Sequence, residues 1–376
     1  MRNFNEAIAY AQAHEVPWPR DPAADPAHWG VHQADPPPFN RLRGPVHERG
    51  GVAGVIDIRG EEVAAWGDPH RADLTFSVAK TYLALLAGIA HARGLLRPDE
   101  RLSERLPGIG FDSPHNRAIT WEHLLTQTSE WEGVCFGIPD QVDRYRQVAH
   151  DPKPVSGKKG DKRPLHEPGT YWEYNDVRIN QLSLALLHLF RRPLPEIFME
   201  SVLTPLGGSA NFRWEGYDDA WVEIDGRRMQ SVPGGSHWGA GVSISARDQA
   251  RIAQMLLAGG SHAGHRIVPA DWVRRMQQPC AIELVHDRRG RQLRVDRCRE
   301  RDGVRGAMAR SGALGRVRHT GDEGARLTTR DLLRLTPRPR RSGNRGRPIP
   351  RRARAALPDS PRRHVSKRLR RHSGIR

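Results

Sequence analysis

The sequence predicts an α+β fold over its first 280 residues, joined to a tail of quite different composition. Three observations carry this. Two stretches alternate like hairpins, 54–67 and 221–229. Longer apolar segments between and after them repeat at helical spacing. Finally, all 24 aromatic residues lie before position 281.

Charge divides the chain at the same place. The 376 residues carry a formal charge of +17, which taken as an average suggests an anionic partner. Residues 281–376, however, hold 29 Lys+Arg against 9 Asp+Glu, whereas residues 1–280 hold 31 against 34. The globular part is close to neutral. Three domains are expected: 1–44, a short amphipathic helix with a proline-rich irregular lead-in; 45–283, the folded domain; and 284–376, the arginine-rich tail.

The elements follow in order. Gly54–Gly67 reads as two short strands about a turn at Arg59-Gly60. A long apolar helix then opens at Ser77 and stops near Gly94. Arg97-Pro98-Asp99 turns into a short helix near Leu102. Thr120 is placed to cap a helix that carries His123 at its third position. Residues 150–168 are polar and read as an exposed loop. Val177–Phe190 has helical spacing, Trp221–Met229 a hairpin about Asp225-Gly226, and Ser245-Ala246-Arg247-Asp248 a capping-box variant that opens a helix through Leu257.

No stretch has the length and apolarity of a membrane span, and the N-terminus lacks a secretory core. The three cysteines, Cys135, Cys280 and Cys298, have neither paired nor metal-ligand spacing, so no disulfide framework or metal is expected. The cytoplasm is the expected compartment, and no cofactor is implied.

Chemistry concentrates at two places. Ser77 and Lys80 stand three residues apart at a helix start, on one face. There an amine can reach a hydroxyl, and the helix N-terminus favours developing negative charge. Taken alone, the pair reads more plainly as a capping serine and a snorkelling lysine. Downstream of the Pro168-Gly169 turn, a short extended piece presents Tyr174 and Asp176 on one side. A tyrosine beside a lysine ammonium can serve as general base for a serine; a core tyrosine is the plainer alternative.

Four stretches in order, Phe76–Lys80, Ile119–Ser129, Pro168–Asp176 and Gly239–Arg251, resemble the serine β-lactamase and penicillin-recognising family, on the branch of class C β-lactamases, DD-peptidases and related esterases. The resemblance covers about residues 45–280. It implies a β-lactamase/transpeptidase-like fold: an antiparallel sheet flanked by helices, with a mostly helical subdomain and a cleft between them. It further implies an acyl-enzyme hydrolase of an ester or amide. Ser77 would be the nucleophile, Lys80 its activating partner, Tyr174 the general base, and the Ser77 N–H half of an oxyanion hole. A small ester, a cyclic amide or an amide oligomer is the substrate class that suits the expected compartment.

The sequence departs from the family pattern twice. Asp176 stands where asparagine is usual; it cannot donate an amide hydrogen bond, and its charge would stabilise the lysine ammonium instead. The family also places a Lys-Thr-Gly-like triad on the strand that faces the serine. His237-Trp238-Gly239 comes too early and reads as structural or as a cleft-lining loop. His319-Thr320-Gly321 is far enough downstream, but a poor core strand follows it.

The tail has 28 arginines and one lysine, Lys367, with too little apolar surface to offset ordering entropy. Its bias is that of a high-GC coding region read out of frame after about Cys280, which would make the chain an inactive, truncated member of the family. The other reading is a nucleic-acid arm binding phosphates through guanidinium groups, although no aromatic residue is present for stacking.

Overall fold

The computed structural model describes residues 4–147, 156–278, 280 and 282. The helices are α1 (Asn5–Ala13), α2 (Ala79–Ala92), α3 (Leu102–Arg105), α4 (Trp121–Leu125), α5 (Asp176–Phe190), α6 (Leu194–Phe198), α7 (Ala246–Leu257) and α8 (Ala270–Met276). The strands are β1 (Gly54–Ile58), β2 (Glu61–Trp66), β3 (Ala72–Leu74), β4 (Val134–Cys135), β5 (Ile138–Pro139), β6 (Arg213–Glu215), β7 (Trp221–Ile224), β8 (Arg227–Gln230), β9 (Gly241–Ser245), β10 (Ser261–His262) and β11 (His265–Arg266).

Turn chemistry explains the hairpins. Arg59 and Gly60 both have positive φ between β1 and β2, as do Asp225 and Gly226 between β7 and β8, the backbone that a two-residue turn needs to match strand twist. The largest sheet is antiparallel with order β3-β9-β6. Ala72 pairs with Ser245, and Arg213 with Ser243. Strand β9 lies at its centre and is buried along its whole length, and its Val242 and Ile244 enter the core.

Helix α2 is the axis of the core. Ala79, Tyr82, Leu83, Leu85, Leu86, Ala87, Ile89 and Ala90 are all buried, more than one face of a helix holds, because α2 is enclosed by α5, α6 and α8. Gly88 makes one of these contacts possible. A Cβ there would stand 2.5 Å from the Trp272 ring, whose Nε1 donates to the Ala84 carbonyl at 2.9 Å.

The caps agree with the sequence. The Thr120 hydroxyl accepts from His123 N–H, and the His123 ring bonds back to the Thr120 N–H. The Ser245 hydroxyl accepts from Asp248 N–H.

Two local readings gain detail and one needs correction. Helix α1 buries none of its residues, so its amphipathic pattern serves no core contact here. The irregular lead-in nevertheless contributes Trp29, His32 and Asp35 to the interior. Within the polar loop, the Arg163 side chain is only 5% exposed because it is paired to Glu130 and Glu173. Burying a guanidinium is tolerable when carboxylates satisfy it on several sides. Residues 150–155 of that loop, and the whole of the tail with His319, lie outside the described residues.

Candidate active site

Ser77 sits where strand β3 gives way to helix α2. Thr75 is tied to Val242 of β9, with both its N–H and its hydroxyl donating to that carbonyl at 2.8 and 3.1 Å. Phe76 then adopts φ of 50°. A bulky side chain disfavours this left-handed backbone, and such strain recurs at functional sites. Residues Phe76–Val78 form one 3-10 turn, and the α-helix proper begins only at Ala79. The serine therefore lies on the tight turn that feeds the helix. Trp18 and Trp29 of the lead-in pack on the Phe76 ring, with centroids 5.4 and 6.1 Å away.

Lys80 reaches back along α2. Its Nζ donates to Ser77 Oγ at 3.0 Å, to Asp176 Oδ1 at 2.5 Å and to the Gly234 carbonyl at 3.2 Å. Tyr174 approaches from the extended piece before α5, and its hydroxyl lies 2.5 Å from Ser77 Oγ. The Lys80 ammonium stands 4.7 Å from the centre of the Tyr174 ring, and the Arg146 guanidinium 4.9 Å. The structure thus brings together four of the five residues predicted from sequence: Ser77, Lys80, Tyr174 and Asp176. His319, the fifth, is not among the described residues.

Asp176 is buried at the first turn of α5, with the Asn175 side chain capping that helix through the N–H groups of Val177 and Arg178. Its second oxygen accepts from Arg146 at 2.6 Å, and its own N–H donates to Asp143 at 2.8 Å. Burial alone would push the Asp176 carboxyl upward, but the Arg146 and Lys80 cations hold it well below the usual carboxylate range. Burial likewise opposes the Lys80 charge, and the Asp176 carboxylate outweighs it, so the amine titrates above the ordinary lysine value. Lys80 is an ammonium that donates hydrogen bonds. It is not a free base.

Behind this pair lies the loop whose His237-Trp238-Gly239 reads from sequence as structural or cleft-lining, with no link to Asp176. The loop 234–240 supplies the Gly234 carbonyl and His237, which is buried between Asp35 and Asp176. Space there is short: a Cβ on Gly234 would stand 2.1 Å from Ile179 Cγ2, and one on Gly235 would crowd Lys80 Nζ at 3.2 Å. Pro233-Gly234-Gly235 was the available signal, since paired glycines mark close backbone approach. Asp35, Asp143 and Arg146 left no signal in the sequence, because only the fold brings them together.

Donor atoms of Asp143, Asp176 and His237 lie within 4.8 Å of one another, a spacing that could hold a metal. The chemistry does not fit one. Lys80 and Arg146 already bind Asp176, Lys159 binds Asp143 at 3.1 Å, and Asp35 binds His237. A divalent ion would face three fixed cations.

A second buried cluster supports the Tyr174 segment. Glu130 accepts from Arg163 and from Arg178, and Glu173 accepts from Arg163 at 2.8 Å. Burial would raise the Glu130 carboxyl, but Arg163 and Arg178 pull it down to about 2. Glu173 also accepts the Tyr145 N–H at 2.9 Å. Tyr174 is thereby anchored through its neighbour in the chain.

The β-lactamase family model matches residues 39–328, and the chain belongs to the β-lactamase family. Its fold is the β-lactamase/transpeptidase-like α+β fold. Solved structures similar to it include a Bacteroides dorei protein assigned as a β-lactamase, at 18% identity and TM-score 0.42, covering 63% of this chain and 64% of that one. A Bacillus anthracis protein assigned as a 6-aminohexanoate-dimer hydrolase shows 16% identity and TM-score 0.43, covering 60% and 59%. The octameric penicillin-binding protein homologue from Pyrococcus abyssi shows 17% identity and TM-score 0.42, covering 63% and 56%. The chain thus spans less than two thirds of the length of each of these. No helix among the described residues is long and apolar enough to cross a membrane.

Proposed function

We propose that this chain is a serine hydrolase that cleaves an ester or amide through an acyl-enzyme on Ser77. The observation that carries the reading is the contact of Ser77 Oγ with both the Tyr174 hydroxyl, at 2.5 Å, and the Lys80 ammonium, at 3.0 Å. Tyr174, acting in its phenolate form, takes the Ser77 proton as Oγ bonds to the substrate carbonyl carbon. The carbonyl electron pair moves to oxygen, where the Ser77 N–H stabilises it. When the tetrahedral adduct collapses, the bond to the leaving alcohol or amine breaks and Tyr174 returns the proton to it. Water then repeats the sequence on the acyl-enzyme and frees the acid.

Lys80 stays protonated throughout, orienting Oγ and stabilising the tyrosine anion. Asp176 holds that ammonium in place and is not free to bind substrate, because both its oxygens are engaged within the protein. This favours a substrate that does not need the amide donor usual at that position.

A fluorophosphonate probe tests the reading. It should label Ser77, as read by mass spectrometry of the modified peptide, and p-nitrophenyl acetate should be hydrolysed by the wild type and not by Ser77→Ala. A wild type that is neither labelled nor active on the ester would overturn it in favour of an inactive family member.

A further inference from the structure

We propose that Asp35 and His237 form a positioning pair that orients Asp176 for Lys80, and that this pair makes the acylation rate depend on the protonation of His237. The inference rests on the hydrolase reading above.

The geometry is a line of buried groups. Asp35 Oδ2 accepts from His237 Nε2 at 2.7 Å, and on the far side of the ring His237 Nδ1 lies 3.6 Å from Asp176 Oδ2. The other oxygen of Asp176 holds Lys80, which holds Ser77. The His237 side chain is 2% exposed and Asp35 is fully covered, so water cannot substitute for either contact.

The ring is also held by its backbone. Arg43 N–H donates to the Trp238 carbonyl at 2.8 Å, and Ala240 N–H to the Pro45 carbonyl at 2.7 Å. Trp238 Nε1 donates to Asp35 Oδ2 at 3.0 Å. Residues 35–45 thus clamp the loop that touches the Lys80–Asp176 pair twice, through the Gly234 carbonyl and through His237.

Charged groups face the ring from every side. Asp35 and His32 come from the lead-in, Asp143 and Arg146 from the 140–146 segment, Lys159 from the following loop, Asp176 from α5, and Lys80 lies beyond Asp176. As imidazolium, His237 donates from Nε2 to Asp35 and turns a charged Nδ1–H toward Asp176 Oδ2, 3.6 Å away, an electrostatic contact longer than a hydrogen bond. As neutral imidazole with its proton on Nε2, it turns a lone pair toward Asp176, which repels that carboxylate from the position that aligns Lys80. Burial disfavours the charged ring, but the neighbouring Asp176 and Asp35 carboxylates outweigh it and raise its titration above the ordinary histidine value. Alignment is therefore present at low pH and lost as pH rises through that raised value.

The test measures the second-order rate of Ser77 phosphonylation by a fluorophosphonate on the full chain, from about pH 5 to pH 9, the range that histidine titration covers. For wild type over His237→Gln, the rate ratio should be roughly tenfold at the acid end, as expected for one lost charge-assisted contact, and should shrink toward unity at the alkaline end. Asp35→Asn keeps the histidine but removes one of its two carboxylates, so its alkaline limb should move to lower pH. This second variant keeps the inference testable if His237→Gln fails to fold, since a purely structural role would lower rates without moving the limb. Rate ratios independent of pH, with an unmoved limb in Asp35→Asn, would overturn the positioning role alone. Absence of labelling in the wild type at every pH would overturn the hydrolase reading and this inference with it.

Discussion

The Lys80 ammonium and the Asp176 carboxylate lie 2.5 Å apart where helix α2 meets the first turn of α5. Each lowers the cost of burying the other's charge, and Arg146 shares the carboxylate at 2.6 Å. Asp176→Asn keeps the shape and removes the charge, which leaves two buried cations without their common partner. Stability should fall by about 3–5 kcal/mol, the usual result of breaking a buried pair on one side. Chemical denaturation reads this directly, and a midpoint equal to that of the wild type would show that the pair carries no such load.

Conservative changes at the proposed reacting groups separate their roles. Ser77→Ala should abolish labelling by a fluorophosphonate. Tyr174→Phe removes the oxygen 2.5 Å from Ser77 Oγ and should slow the reaction by roughly 10²–10⁴, the range of a lost general base. Near-normal labelling in Tyr174→Phe would assign the proton transfer to another group.

Much of this arrangement is legible in the sequence because it is local. Ser77 and Lys80 are one helical turn apart, Tyr174 and Asp176 follow a Pro-Gly turn, and the caps at Thr120 and Ser245 rest on side chains within three residues. What escapes a linear reading is assembled across the chain. Asp35 and His237 are 202 positions apart, and Arg163 reads as a loop residue until Glu130 and Glu173 surround it. A buried charge has no periodic signature; it is recognisable only once its partner is in view. His237 was visible beside Trp238 and Gly239, and a structural or cleft-lining role is the reading its sequence context supports. Its neighbours in space add the link to Asp176.

Acid should unfold the domain through Glu130. Its carboxyl titrates near 2 in the folded chain against an ordinary value of 4.5, so the folded state gains from its ionisation. That stability is fully present above the ordinary value and is lost as pH falls from 4.5 toward about 2. The difference corresponds to about 3 kcal/mol. Glu130→Gln should be less stable than the wild type at neutral pH, and the gap should close on acidification. A gap independent of pH in denaturant titrations would remove Glu130 as the cause.

Gly234 sits where the loop backbone meets the core beneath Lys80. A Cβ there would stand 2.1 Å from Ile179 Cγ2 and 2.8 Å from Leu83 Cδ1. Ile179 lies on α5 and Leu83 on α2, so neither contact can be relieved by turning a surface side chain. Gly234→Ala must therefore displace the loop away from the two helices, and the displacement moves the carbonyl that accepts from Lys80 at 3.2 Å. Overpacking of this size costs about 1–3 kcal/mol, and labelling of Ser77 should slow together with the loss of stability. Thermal unfolding and the phosphonylation rate, measured on the same preparation, check both halves. A destabilised variant that is labelled at the wild-type rate would show that the Gly234 carbonyl is dispensable for aligning Lys80.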